Sequence, residues 1–256
     1  MNRDESRWLT EEQRHRYQRQ LAIPEIGTHG QIRLGKARVM IVGLGGLGSI
    51  TSYYLAAAGV GWLRIVDHDT VVLSNLNRQL LHRTPDLGRP KVASAADKLR
   101  RLNPGCCIEP VHVRVAHDNG LDLADGCDLL IDATDNLATR HALNRISLAK
   151  RIPFIYGGIN GWSGTAATFI PGKTCCFACL FPALEDEAEV RITPALGPTA
   201  GVIASIQSME VLRILLGLEP GLAGRLLDFQ GSQVRFRTIR LEKNPDCALC
   251  GRSKGA

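Results

Sequence analysis

A short apolar strand, Ala37-Arg38-Val39-Met40-Ile41-Val42, runs directly into Gly43-Leu44-Gly45-Gly46-Leu47-Gly48, and a helical stretch follows from Leu47 to Ala58. Strand, glycine turn and helix in immediate succession leave few folds open. Glycines at 43, 45 and 48 have the spacing in which the first permits a tight turn, the second lets a phosphate approach the backbone, and the third lets the helix pack on its strand. The helix N-terminus behind the loop presents amide donors and the positive end of a dipole to an anion. The motif by itself serves many unrelated nucleotide-binding proteins, and some glycine loops are only turns. The rest of the chain has to choose the ligand.

A second apolar strand, Leu63-Arg64-Ile65-Val66, ends at Asp67. A helix is expected from Pro90 to Leu102, strands from Ile108 to Val115 and Asp128 to Ala133, and a helix from Asn136 to Lys150. Such alternation, with near-continuous apolar strands, predicts a Rossmann-like, doubly wound, mostly parallel α/β sheet. Beyond Pro153 the pattern changes: strands at Phe154–Ile159 and Thr165–Ile170, a long apolar helix at Thr199–Leu216, then Arg225–Phe229 and Gln233–Leu241 at hairpin spacing. These extend the sheet with antiparallel strands. We expect one domain over 1–256: a helical arm to about residue 36, whose Thr10–Gln20 helix opens on a capping-box pair, Thr10 and Gln13, a nucleotide-binding half to about 152, and the sheet extension after it.

The net charge of +6 favours anionic partners, among which nucleotide and acidic protein rank ahead of nucleic acid. No apolar run reaches the roughly 18 residues of a membrane span, and Met1 to Glu12 is too polar for a signal peptide. A cytoplasmic protein is expected.

Open α/β sheets bind ligands at the carboxyl ends of their strands. Asp67 stands there, placed to accept hydrogen bonds from a ribose, which suits NAD and ATP equally. Ser74-Asn75-Leu76-Asn77-Arg78-Gln79-Leu80 and Gly88-Arg89-Pro90-Lys91 discriminate between them, because they place fixed cations near the glycine loop. Amides alone hold a pyrophosphate, whereas a triphosphate under attack gains from Arg and Lys on its oxygens. Thr134-Asp135-Asn136 offers a carboxylate for Mg²⁺, or a cap for the helix behind it.

Cys176-Phe177-Ala178-Cys179 and, far downstream, Cys247-Ala248-Leu249-Cys250 supply the four thiolates of a closed structural Zn²⁺ site. Cys175 adjoins the first pair and leaves the ligand assignment open there. Cys106, Cys107 and Cys127 have no neighbours at ligand spacing and are read as packing residues.

In this order the motifs resemble the ThiF/MoeB/HesA family, prokaryotic relatives of ubiquitin-activating enzymes that adenylate sulfur-carrier proteins. The resemblance runs from Arg16-Tyr17-Gln18-Arg19-Gln20 through the glycine loop, Ser74 to Gln79, Thr134-Asp135-Asn136 and both cysteine pairs to Asn244-Pro245-Asp246-Cys247. It implies ATP and Mg²⁺ as cofactors, Zn²⁺ as a structural metal, and a small ubiquitin-like sulfur-carrier protein ending in Gly-Gly as the partner. On that resemblance Gly43, Gly45, Gly46 and Gly48 line the nucleotide and Asp67 holds the ribose. Asn75, Arg78, Gln79 and Lys91 attend the phosphates, and Asp135 handles Mg²⁺. Arg19 resembles an arginine that reaches into a partner subunit's site, which implies a homodimer. A sulfurtransferase or cysteine desulfurase is the implied sulfur source.

One departure stands out. Many family members carry a cysteine in the segment crossing over the carrier tail, which here spans Phe181 to Pro198 with an acidic run, Glu185-Asp186-Glu187-Ala188-Glu189. The family pattern places Val190 at that position, and no cysteine lies between Cys179 and Cys247. Adenylation needs no thiol. The competing readings are the same adenylation of a peptide or tRNA-linked carboxylate, an NAD-dependent oxidoreductase on the same glycine loop, and an inactive zinc-stapled binding module.

Overall fold

The computed structural model describes residues 9–182 and 193–251. In chain order it contains α1 (Glu11–Arg16), α2 (Gln18–Leu21), α3 (Gly27–Lys36), β1 (Arg38–Val42), α4 (Gly46–Ala58), β2 (Trp62–Val66), α5 (Lys91–Leu102), β3 (Cys107–Val111), α6 (Gly120–Leu123), β4 (Leu129–Asp132), α7 (Leu137–Lys150), β5 (Phe154–Asn160), β6 (Ser163–Phe169), α8 (Phe177–Leu180), α9 (Gly197–Leu216), β7 (Arg225–Gln230) and β8 (Arg235–Arg240). The strands form one eight-stranded sheet in the order β3-β2-β1-β4-β5-β6-β7-β8. The first five in that order run parallel. The remaining pairs are antiparallel. The expected sheet, parallel and then extended antiparallel, is the one observed.

Each face of the sheet has its own core. On one side Leu34 of α3, Leu55 of α4, Leu99 of α5 and Ile203 and Val211 of α9 pack over Val39, Ile41, Leu63 and Ile65. On the other, Leu143 and Ile146 of α7 and Phe177 of α8 cover Met40, Leu130, Phe154 and Phe169. Residues alternating along β1 therefore feed both cores, which is why the strand reads as continuously apolar.

Two local expectations shift, and a third is met against the local propensity. The helix expected from Thr10 to Gln20 has its capping box, with Thr10 Oγ1 accepting from Gln13 N at 3.1 Å and Gln13 Oε1 from Thr10 N at 2.9 Å. It breaks at Tyr17, which is buried and takes a hydrogen bond from Asn103 Nδ2 at 2.9 Å through its hydroxyl. The helical arm expected to about residue 36 ends in α3, which forms although three glycines depress its propensity. It forms because packing requires one of them: a Cβ on Gly30 would fall 2.7 Å from Leu216 Cδ2 of α9. The strand expected to reach Val115 stops at Val111, after which Asn119 Oδ1 accepts from Ala116 N and turns the chain.

By length and composition α9 passes as a membrane-crossing helix. Here it is a core helix, and Gln207, Ser208 and Glu210 are buried along it.

Candidate nucleotide site and cysteine cluster

The glycine loop is built by contacts that only glycine survives. Gly43 has φ +92°, and a Cβ there would lie 2.5 Å from the Ala133 carbonyl oxygen at the end of β4. A Cβ on Gly48 would lie 1.9 Å from the Gly43 carbonyl oxygen. The first glycine makes the turn beside β4 and the last lets α4 start directly on it. Gly45 is the N-cap of α4, so the loop amides and the helix dipole face the carboxyl end of the sheet.

Asp67 fastens this loop to β2. Its Oδ2 accepts from Leu44 N at 2.7 Å and its Oδ1 from Asp69 N at 2.8 Å. Lys91, buried at the start of α5, reaches Asp69 Oδ2 at 2.9 Å. Partial burial pushes the Asp69 carboxyl up, but the Lys91 hydrogen bond and charge override it and hold it below the ordinary range. Asn75 Oδ1 accepts from Val72 N and closes the turn at Leu73–Asn75. Arg78, half-buried, donates to Ser74 O at 2.9 Å and to Asn77 Oδ1 at 3.1 Å, and its stem lies against Gly46. Gln79 is buried near Gly45, and its Oε1 has no partner among the described residues. A buried amide oxygen with no protein partner, beside the amides of residues 45–48, fits a polar ligand at this end of the sheet.

Asp135 lies exposed in the turn between β4 and α7, on the same end of the sheet. The turn is clamped. Asp132, fully buried, accepts from Thr134 N at 2.9 Å and from Arg140 Nε at 3.0 Å, while Arg140 also donates to Thr134 O at 2.7 Å and lies over the Tyr156 ring. Burial drives the Asp132 carboxyl upward against Arg140 and Thr134. Asn136 caps α7 through Thr139 N at 2.9 Å. The structure thus brings the glycines, Asp67, Asn75, Arg78, Gln79, Lys91 and Asp135 to one end of the sheet. It does not bring Arg19 there. Arg19 is exposed on α2, beside Gln20, which bonds Ala58 O at the far end of α4, a helix about 20 Å long.

The sequence reading missed Asp69, His82, Asp132, Arg140 and Gln207. Gln207 reaches from α9 to donate to Asp132 O at 2.7 Å, and Gly157 leaves the room it needs. A buried-charge pair eight residues apart, Asp132 and Arg140, straddling the Thr134-Asp135-Asn136 turn was the available signal.

The four cysteines of the two pairs converge. Sγ···Sγ distances are 3.9 Å for Cys176–Cys179, 3.7 Å for Cys176–Cys247 and 3.3 Å for Cys179–Cys250. Tetrahedral zinc with bonds of about 2.3 Å sets its sulfurs about 3.8 Å apart, and a disulfide needs about 2 Å, so the cluster fits a metal and not crosslinks. Burial raises the Cys247 thiol, yet hydrogen bonds from the Cys250 and Leu249 amides bring it down to about 7. Cys175 is outside the cluster and buried in the core, which pushes its thiol up to about 11 and settles the ligand ambiguity in favour of Cys176. Cys106 and Cys127 are likewise buried, while Cys107 is exposed.

A family model described as ThiF family matches residues 17–249. A SAMP-activating enzyme E1 of Haloferax volcanii is 41% identical over 239 residues, covering 92% of this chain and 88% of that protein. A sulfur carrier protein adenylyltransferase of Thermus thermophilus is 38% identical over 256 residues, covering 96% and 93%. An adenylyltransferase and sulfurtransferase MOCS3 of Culex quinquefasciatus is 40% identical, and the chain spans 55% of its length. Among solved structures, PaaA superposes with a TM-score of 0.81 at 26% identity, covering 95% of this chain and 78% of PaaA. Escherichia coli MccB with MccA-N7isoASN gives 0.84 at 20% identity, covering 93% and 75%, a likeness of fold.

Proposed function

The chain belongs to the ThiF family, and from that premise we propose that it uses ATP to adenylate the C-terminal Gly-Gly carboxylate of a small ubiquitin-like sulfur-carrier protein. The observation that carries this reading is the near end-to-end likeness to the Thermus thermophilus sulfur carrier protein adenylyltransferase. Adenylation of a peptide or tRNA-linked carboxylate would use the same residues. The 38–41% identity to proteins named for sulfur-carrier adenylation and SAMP activation ranks it second. A hydride-transferring enzyme would leave Arg78, Lys91 and Asp135 without a joint task.

In the reaction a carboxylate oxygen of the carrier attacks the α-phosphorus of ATP, the bond to the bridging oxygen breaks, and pyrophosphate leaves with the electron pair. The nucleophile is already ionised, so no general base is needed. The chain has to suppress repulsion between a carboxylate and a polyanion and stabilise the departing charge. Amides of Gly45 to Gly48 and the α4 dipole take phosphate oxygens, the Gly43 and Leu44 amides being held by Val66 O and Asp67. Gln79 supplies a fixed amide, and Arg78 and Lys91 supply cations. Lys91 exchanges Asp69 for phosphate as the ligand enters. Asp67 holds the ribose while keeping the loop in place. Asp135 would hold Mg²⁺; a single exposed carboxylate suits an ion that keeps waters and shares substrate phosphates, and the ion supplies charge neutralisation. Four thiolates at the spacing described would hold Zn²⁺ in a structural role.

Arg19, far from this chain's own loop, is assigned to the site of a second subunit in a homodimer. Product is the acyl adenylate, which a separate sulfurtransferase or desulfurase converts to a thiocarboxylate. Val190 and the acidic run at 185–189 lie outside the described residues. All eight cysteines are unpaired, which fits a reducing, cytoplasmic setting.

The test is exchange of labelled pyrophosphate into ATP by the purified chain with a Gly-Gly-ending carrier and Mg²⁺. Exchange is expected only when both are present. Exchange without carrier, or none with any Gly-Gly carrier, counts against the proposal.

A further inference from the structure

His82 lies in none of the motifs above, yet its ring is buried against the glycine loop. Nε2 is 3.1 Å from the Leu44 carbonyl oxygen and Nδ1 is 2.9 Å from Ser94 Oγ. A carbonyl only accepts, so Nε2 carries the proton and donates. Nδ1 then accepts the Ser94 hydroxyl proton. Lys98 fixes that direction: its ammonium has only donors and sits 2.7 Å from Ser94 Oγ, with Asp86 on its other side. Burial, added to by Lys98 and Lys91 and opposed in part by the Leu44 contact and the Asp86 charge, holds the imidazole below its ordinary range and therefore neutral near pH 7.

The same residue is gripped from its other side, through the preceding peptide unit. Leu44 N donates to Asp67 Oδ2 at 2.7 Å, and Asp67 in turn orients Asp69, the partner of Lys91. One hydrogen-bonded chain thus runs from Asp86 through Lys98, Ser94 and His82 to the Leu44 carbonyl, while Asp67 holds the Leu44 N–H one peptide unit earlier. Leu44 is buried between Gly43 and Gly45, and its carbonyl shares a planar peptide with Gly45 N–H, so fixing the carbonyl sets the direction of the loop amide that follows. Ser49 Oγ also approaches Leu44 O, but at 3.3 Å.

We propose that His82, as the neutral Nε2–H tautomer set by Ser94 and Lys98, is a positioning residue that orients the glycine-loop amides for the nucleotide phosphates. This rests on the ATP-using reading of the site. His82 touches no reacting atom; it acts through the Leu44 peptide. Its loss therefore falls on nucleotide affinity more than on turnover. A glutamine amide reaches about where Nε2 stands and donates in the same sense, so it substitutes for the ring.

The full chain is titrated with ATP and Mg²⁺ by calorimetry and assayed for pyrophosphate exchange, and the His82 ring nitrogens are read by NMR of ¹⁵N-histidine-labelled protein. The wild type is expected to show the Nε2–H tautomer at neutral pH. His82→Leu should weaken ATP binding and raise its KM about tenfold, the worth of one hydrogen bond, with kcat changed less than the KM. His82→Gln should restore most of the affinity. Should His82→Leu not fold, Ser94→Ala serves: the Nδ1 resonance should shift as it loses its hydrogen bond, and the ATP KM should rise, whereas an unchanged KM with the Nδ1 shift present overturns the proposal. Wild-type affinity in a folded His82→Leu, or an Nδ1–H tautomer in the wild type, overturns the proposal. A wild-type chain that binds no ATP would instead sink the functional reading, a separate outcome.

Discussion

The two halves of the sheet hold their functional residues by different means. In the parallel half, charged groups at the strand ends are buried and held by named partners: Asp67 on two amides, Asp132 on Thr134 and Arg140, Lys91 on Asp69. In the antiparallel half, every residue of β8 is exposed, Phe236 only stacks on Phe229 at 4.6 Å, and the chain beyond is gathered by four cysteines. A small-ligand site needs side chains fixed to fractions of an ångström, which buried hydrogen bonds supply. A terminal segment with little core to bury is held by a metal more readily than by packing.

If that contrast is right, zinc removal should act on one half only. Chelation, or Cys250→Ser, should release about one zinc per chain. Amide exchange should then accelerate at 241–251 and around Cys176 while β1 to β4 stay protected, with a loss on the order of 10 kcal/mol of metal-linked stability in the zinc-bound segment. Protein purified without chelator and free of zinc would break the comparison at its second term.

The parallel half should fail differently. Arg140→Met leaves Asp132 buried without its cation, and should cost about 3–5 kcal/mol in denaturant unfolding. A variant as stable as the parent would mean the pair does not carry the clamp. Asp135, exposed on the clamped turn, separates chemistry from folding: Asp135→Ala should lower pyrophosphate exchange by about two orders of magnitude with little change in melting temperature. Near-normal exchange would remove it from the mechanism.

The smallest effect concerns acid. Burial raises the Asp86 carboxyl, but the Lys98 and Arg83 N–H hydrogen bonds hold it below the ordinary value. A depressed folded pKa contributes stability above the unfolded value of 3.8 that is lost as pH falls through the folded one. Lys98→Met should remove about 1 kcal/mol of this at pH 7 and flatten the acid limb of a stability profile below about pH 4. An unchanged limb would show that Asp86 gains nothing from Lys98.

The glycine loop, Asp67, Asp135 and the paired cysteines were legible because each is a local pattern whose spacing is itself the chemistry. The parallel sheet and its antiparallel extension followed from the alternation of apolar runs, and α9 from its length; the strand order did not. By contrast, Tyr17 broke the first helix through a contact with Asn103, and α3 formed because Gly30 meets Leu216, both distant in sequence.

What the sequence alone determined, then, is the set of groups offered to a nucleotide and a metal, and the kind of sheet that presents them. The tertiary structure decided how those groups are held: His82 on Leu44, Gln207 on Asp132, Cys176 rather than Cys175 in the cluster, and Arg19 away from its own chain's loop. Those choices depend on which side chains meet across elements far apart in the chain. Periodicity reports only which face of an element is apolar, so a buried polar contact, satisfied by one distant partner, leaves no local trace.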